Sequence, residues 1–192
     1  MTDTLPLDAF RLLASRQGGY VGRKQAIAAG TALDALLADG SIRLVEADLF
    51  RLVDHPADRF DALARGCART GGVVSHQSAA QVYGMGDCRP HFVHLSCGGA
   101  VGASGATAVH RRELLSEDIV DAVSFRITTP LRTVYDLADS PLAQHVLDAV
   151  IADAIMIGRV DADELRGAIR SQPTRTAERL ACALQAGIGD AQ

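Results

Sequence analysis

Apolar residues in the first fifty positions recur at helical spacing in three short runs and then alternate. The runs LDAFRLLASR, RKQAIAAG and TALDALLADG each place leucine, alanine or Phe10 on one side of a helix and end at glycine, the third with Thr31 as its N-cap. SIRLV and DLFRLV follow with a period of two around a short connection, which predicts a hairpin. Three helices and a two-stranded wing predict a winged helix-turn-helix.

A polar, proline-bearing junction, DHPADRFD, separates this unit from a longer second part. There the pattern predicts one helix, a short strand leading into a helix capped at Ser75, and three strands over HFVHLSC, TAVHRREL and VSFRITT. From Pro130 the chain is predicted to be helical. The sequence therefore predicts an α+β fold. We expect residues 1–55 to form a winged helix-turn-helix domain, and residues 56–192 to form a mixed α/β domain with a small sheet and C-terminal helices.

Composition changes this picture only in one respect. The 192 residues are 48% hydrophobic and 22% charged with a formal charge of −4, which argues against a protein that binds nucleic acid by bulk charge. We recognise no targeting segment and expect no membrane span, so we expect a cytoplasmic protein whose four cysteines stay reduced.

Several landmarks in a fixed order resemble one family. GGYVGRKQAIAAG leads into ALDALLADGSIRLVEADLFRL, then VVSHQSAAQVYGM, HFVHLS, VHRREL and ITTPLRTVYDLA. This order, over about residues 8 to 165, resembles the AbiEi antitoxins of bacterial toxin-antitoxin systems. The resemblance implies a protein without catalysis or cofactor that represses its own operon by binding operator DNA. A dimer on the DNA is one of the forms expected for this binding. The resemblance also implies that the second domain counters an AbiEii-like nucleotidyltransferase toxin. The alternative is an antitoxin that complexes the toxin directly and no longer reads DNA.

The predicted DNA-binding surface is poor in positive charge. Residues 1–55 contain six Lys/Arg against seven Asp/Glu, and the outward positions of the third helix offer a hydroxyl, a carboxylate and methyl groups rather than base-reading side chains. We therefore expect weak, dimer-dependent or lost DNA binding. The expected contacts are cations that grip phosphate and one hydroxyl on the third helix: Arg23, Lys24, Thr31, Arg43 and Arg51.

In the second domain four arginines are candidates for a surface that meets an acidic partner or nucleic acid: Arg111, Arg112, Arg126 and Arg132. Each also has a structural explanation. Arg132, for example, is spaced to pair with Asp136 one helical turn later.

Three patterns suggest chemistry, and we weigh each against a structural role. Ser75, His76 and Asp136 have the residue types of a triad, but no G-x-S-x-G elbow precedes the serine, so capping is favoured. The loop CGGAVGASGA lacks the lysine of a phosphate-binding loop. CRPHFVHLSC has zinc-ligand residue types, yet on a strand His91 and His94 point to opposite faces, so we predict no metal site.

Overall fold

The N-terminal unit is helical and carries its own three-stranded sheet. In the computed structural model, which describes residues 5–99 and 106–189, it runs through α1 (Leu5–Ser15), β1 (Tyr20–Gly22), α2 (Arg23–Ala28), α3 (Leu33–Ala38), β2 (Ile42–Glu46) and β3 (Leu49–Leu52). The strands are antiparallel in the order β1-β3-β2. Phe10, Val21, Leu36 and Phe50 share its core, because the helical face of α1 and the alternating face of the hairpin bury the same kind of side chain.

The strand β1 was not predicted from the sequence. Its three residues, YVG, are too few to show a period, and the preceding glycines indicated only the end of α1. Gly18 and Gly19 instead place the chain directly beside β3: both have positive φ, and the carbonyl of Gly19 accepts the amide of Leu52 at 3.0 Å.

The second part is a five-stranded sheet followed by a helical bundle. Its elements are α4 (Asp61–Thr70), β4 (Val73–Val74), α5 (His76–Tyr83), β5 (Val93–Cys97), β6 (Thr107–Arg111), β7 (Ile119–Asp121), β8 (Arg126–Thr128), α6 (Pro130–Asp139), α7 (Gln144–Met156), α8 (Ala162–Ile169) and α9 (Thr174–Gly189). The strand order is β6-β5-β4-β8-β7. The β4–β8 and β5–β6 pairs are parallel, and the others are antiparallel.

These elements confirm the α+β fold class and correct two strands. The strand predicted over VSFRITT begins only at Arg126, because Ala122 to Phe125 form the turn of an unpredicted hairpin with β7. The strand predicted over HFVHLSC begins at Val93, and His91 lies in a bend before it.

The bundle holds the largest apolar core. Helices α6, α7, α8 and α9 bring Val134, Leu147, Ile151, Leu165 and Leu180 together without exposed surface. Among the helices of the described residues, none combines the length and apolarity that a bilayer crossing requires.

The N-terminal unit packs on α4 through one face of its sheet. Tyr20 and Leu49 bury against Ala64 and Ala68, and the Tyr20 hydroxyl donates to Asp61 at 2.7 Å. The predicted domain boundary at residue 55 falls in the segment between β3 and α4. The N-terminal unit and the second part, which this segment connects, are in direct contact.

Candidate functional site

The beginning of α2 presents the two cations predicted to meet phosphate. Arg23 and Lys24 are both exposed, but Arg23 is engaged: its Nε lies 2.6 Å from Asp48 Oδ1, and its guanidinium lies 4.9 Å from the centre of the Phe50 ring. Asp48 reaches it from the hairpin turn, where its φ is +64°. A phosphate that contacts Arg23 therefore has to compete with Asp48.

The surface of α3 is smaller and more acidic than a base-reading helix requires. The exposed residues include Ala32, Asp34, Ala35 and Ala38, as expected. Leu37, which the helical pattern placed on the inner side, is exposed as well. Thr31 was expected among them, but that expectation is wrong. The side chain is buried and its hydroxyl donates to the Ala26 carbonyl at 2.6 Å, so it closes the turn between α2 and α3 instead of capping α3 or facing a ligand.

The two strand arginines have different environments. Arg43 on β2 is exposed, as predicted. Arg51 on β3 was expected to face outward, but only 5% of it is exposed. Its Nη2 lies 3.1 Å from Asp61 Oδ1 and its guanidinium stacks over the Tyr20 ring at 5.2 Å. Arg51 faces α4 because the second face of the sheet packs on that helix, so that both faces of β3 are covered. A phosphate cannot reach it there.

The β2–β3 hairpin is tied to the second part by charge. Glu46, on β2, pairs with Arg65 and, at 4.0 Å, with Arg69 of α4. The negative charge of Glu46 is therefore neutralised within the chain. This contact also fixes the hairpin beside α4.

In the second part, two of the four candidate arginines converge on a buried carboxylate. Asp136 has no exposed surface. The Nη2 of Arg132 lies 2.9 Å from its Oδ1, which confirms the predicted helix pair, and the Nη1 of Arg112 lies 3.7 Å away. Burial raises the pKa of Asp136 against the opposing effect of Arg132. Its Oδ2 has no hydrogen-bond partner within the described part of the chain.

Further carboxylates hold the same two arginines. Arg132 also pairs with Asp118 at 3.3 Å, and Arg112 pairs with Asp139. Both guanidinium groups are thus paired with carboxylates of the same chain. These ion pairs mainly hold α6 to the sheet. Arg111 and Arg126 are exposed and separate from this network, and Arg126 donates to the Gly71 carbonyl at 2.8 Å.

Next to the arginine network lies a stack of three histidines, of which the sequence analysis singled out only His76 for catalysis. The rings of His76 and His110 are stacked with 3.5 Å between centroids, and His94 Nδ1 lies 2.9 Å from His110 Nε2. Burial, followed by the neighbouring imidazoles, lowers the pKa of His76 to about 2 and that of His110 to about 4; burial also lowers the pKa of His94. The three rings are therefore neutral near pH 7.

The alternation in HFVHLSC contained part of this signal. It placed His94 and Ser96 on one face of the strand, and β6 brings His110 opposite Ser96. What the sequence did not show is that β5 and β6 are adjacent and parallel. A strand-to-strand pairing of this kind leaves no local pattern.

The serine of the suspected triad is closed off from solvent. Ser75 has no exposed surface, its Oγ lies 2.9 Å from His76 Nδ1, and it accepts a hydrogen bond from the Ser96 hydroxyl at 2.9 Å. Ser75 holds the N-cap position of α5, as predicted, but its hydroxyl makes no capping bond. Asp136 is engaged by arginine instead of by His76. The arrangement offers no accessible nucleophile next to a free base.

His76 adopts a left-handed backbone conformation, with φ of +51°. This conformation is costly for a residue with a side chain and persists where surrounding contacts hold it. Stacking on His110 and the contact with Ser75 supply such contacts at the strand-to-helix turn.

The two other sequence patterns are the glycine-rich loop and the residues of zinc-ligand type. Most of the glycine-rich loop, residues 100–105, lies outside the described residues. Within the ranges 5–99 and 106–189, no three His, Cys, Asp or Glu side chains are arranged so that they could hold a metal ion.

Comparison with known proteins bears on the fold. No protein-family model matches the chain, and no curated protein matches it. Among solved structures, the chain is similar to the crystal structure of the RV2827C protein from Mycobacterium tuberculosis, with a TM-score of 0.55 and 16% sequence identity. The similarity covers 97% of this chain and 78% of that one. At this identity the similarity concerns the α+β fold alone.

Proposed function

We propose that this chain is an antitoxin of the AbiEi type that binds the DNA of its own operon through the N-terminal unit. The observation that carries the proposal is the connectivity of Leu5–Leu52: helix, strand, two short helices and a hairpin, with sheet order β1-β3-β2. We interpret this unit as a winged helix-turn-helix, in which α3 is the recognition helix and β2–β3 is the wing. The second part, in this proposal, counters a nucleotidyltransferase-like toxin in the cytoplasm.

The charge distribution supports weak, phosphate-dominated DNA binding. Lys24 and Arg43 are exposed, and neither forms an ion pair within the described part of the chain. Arg23 joins them only when Asp48 releases it. Since α3 exposes no donor suited to base edges, sequence selectivity has to come from DNA shape or from the spacing of two half-sites in a dimer. Thr31 and Arg51 are not part of this proposed surface.

A second candidate function is a direct complex with the toxin, without DNA reading. One large apolar side chain is exposed on each of α2, α3 and β2: Ile27 at 63%, Leu37 at 37% and Leu44 at 54%. The carboxylates of Asp34 and Asp39 are also exposed on or beside α3. A mixed apolar and acidic surface fits a protein with a basic rim better than it fits DNA.

A DNA-binding measurement separates the two functions. Binding of the whole chain to its promoter fragment is measured at several salt concentrations for the native protein and for Lys24→Ala/Arg43→Ala. We expect binding that weakens with salt, and a salt slope smaller by about two in the double variant, one per lost phosphate contact. Arg170→Ala, an exposed arginine at the end of α8, serves as the control and should keep the native slope.

The toxin arm uses co-expression with the neighbouring gene product. Rescue of growth together with promoter binding supports the first function. Rescue without promoter binding, with a stable heteromer that Ile27→Glu/Leu44→Glu disrupts, supports the second. The absence of both promoter binding and growth rescue would contradict both functions.

A further inference from the structure

A cleft separates α1 from the β7–β8 hairpin of the second part. Its volume is about 840 Å³, within the range of about 300 to 1,000 Å³ usual for small-molecule sites. Leu12 and Leu13 line one wall, and Ala122 and Phe125 line the other. Leu12 is 67% exposed although it is a large apolar side chain on the most N-terminal helix. The walls therefore offer apolar surface to a bound molecule.

Two arginines line the same cleft: Arg16, at the end of α1, and Arg126, on β8. Arg126 donates to the carbonyl of Gly71 at 2.8 Å, and neither arginine lies within 4.0 Å of a carboxylate oxygen in the ranges that the structure describes. Asp121 is the cross-strand partner of Arg126 and also lines the cleft, so the lining carries two cations and one carboxylate. The excess of positive charge favours an anionic ligand.

From these features we infer that the cleft is an effector site for a small amphipathic organic anion, with its acidic group at Arg16 and Arg126 and its apolar body against Leu12 and Ala122. Arginine suits this role because its planar fork holds a carboxylate or phosphate through two parallel hydrogen bonds. The two arginines belong to different parts of the chain. A bound anion therefore bridges the N-terminal unit and the second part.

The cleft also reaches the beginning of α2. Gln17 and Gln25 line it, with the Nε2 of Gln25 donating to Gln17 Oε1 at 3.2 Å. The Oε1 of Gln25 accepts the backbone amide of Gly22 at 3.0 Å, immediately before Arg23 and Lys24. A ligand that displaces the Gln17–Gln25 contact thus acts on the backbone that presents the proposed phosphate contacts. This regulatory consequence rests on the proposed function, whereas binding itself does not.

The binding test uses octanoate as the probe and isotope-labelled whole chain, followed by NMR without DNA. We expect saturable amide shifts at Gln17, Gln25 and Arg126, and weaker binding of 1-octanol, which has the same chain length without the charge. Arg16→Gln and Arg126→Gln should each weaken octanoate binding about tenfold, the loss of one charged hydrogen-bonded contact. Asp121→Asn should strengthen it, and Arg170→Gln should leave it unchanged.

Three outcomes overturn the inference. The first is the absence of saturable shifts with octanoate, and the second is saturable shifts that map away from the cleft. The third is native octanoate affinity in both arginine variants together with weakened promoter binding, which assigns these arginines to DNA instead. Octanoate binding in a protein that does not bind its promoter leaves the site in place and removes only its regulatory consequence.

Discussion

The ring of His76 stacks on the ring of His110, and the imidazole of His94 lies at hydrogen-bond distance from His110. Because His94 and His110 share one close nitrogen contact at 2.9 Å, one ring has to donate and the other has to accept. A second proton at this contact removes the acceptor and places a positive charge beside the stacked ring of His76. The lowered pKa values of His76 and His110 include the effect of neighbouring imidazoles together with the cost of burial, whereas burial alone lowers the pKa of His94.

The stack predicts a loss of stability in mild acid. In the unfolded chain these histidines take up protons near pH 6.5, while in the folded chain His110 stays neutral to about pH 4 and His76 to about pH 2. Since the unfolded state then binds more protons, the free energy of unfolding falls as pH decreases from about 7 toward 4. Each imidazole that stays neutral in the folded chain contributes up to about 1.4 kcal/mol per pH unit to the slope of the free energy of unfolding against pH. Urea unfolding at several pH values measures the slope.

A paired variant isolates the stack in that measurement. His110→Asn should reduce the slope, whereas His91→Asn, which changes an exposed histidine in the bend before β5, should keep it. Asp136, whose pKa is raised, acts with the opposite sign and is the same in all three proteins. Equal slopes for the native chain and His110→Asn would mean that the stack does not resist protonation.

At the scale of elements, the amphipathic segments were predictable and the pairings between short strands were not. α1, β2, β3 and the helix starting at Pro130 have clear periods, and the Arg132–Asp136 pair follows from helical spacing alone. β1 and β7 have three residues each, fewer than two full periods of a strand. Their positions depend on partners far along the chain, which no local pattern specifies. The same reason hides the histidine stack and the burial of Arg51.

The turn between α1 and β1 provides a test of one such long-range position. Gly18 has φ of +60°, and a Cβ there would lie 2.6 Å from the Cβ of Ala64 on α4. Gly18→Ala should therefore cost backbone strain plus displacement of α4, roughly 2 to 4 kcal/mol. Gly40→Ala has the same sign of φ, at +77°, but meets nothing within 4 Å, and should cost only about 1 kcal/mol. Urea midpoints compare the two, and equal losses would show that Gly18 does not depend on α4.

At the scale of the whole molecule, the buried Arg51 joins the two parts. Asp61 balances its charge, while its Nε has no hydrogen-bond partner among the described residues. Removal of one partner from a buried pair leaves an uncompensated charge. The junction is thus more sensitive to the loss of Asp61 than an exposed pair is to the loss of either member.

Asp61→Ala should destabilise the chain by about 3 kcal/mol, the lower end for a buried pair because Asp61 is partly exposed. Hydrogen exchange should increase first at β1 and β3, ahead of the amides of α7 and α9. Asp54→Ala removes the exposed Arg11–Asp54 pair and should cost less than about 1 kcal/mol. A uniform increase in exchange, or equal losses in the two variants, would mean that the junction is not a separate point of weakness.

The contact between Arg23 and Asp48 has a consequence for how DNA binding would be measured. When a phosphate takes the place of Asp48, one anion replaces another on the same guanidinium, and the freed carboxylate attracts cations from solution. This exchange offsets part of the counterion release that a new phosphate contact would otherwise produce. A salt titration would then count Lys24 and Arg43 but undercount Arg23, so the number of phosphates touched would exceed the number that the slope reports.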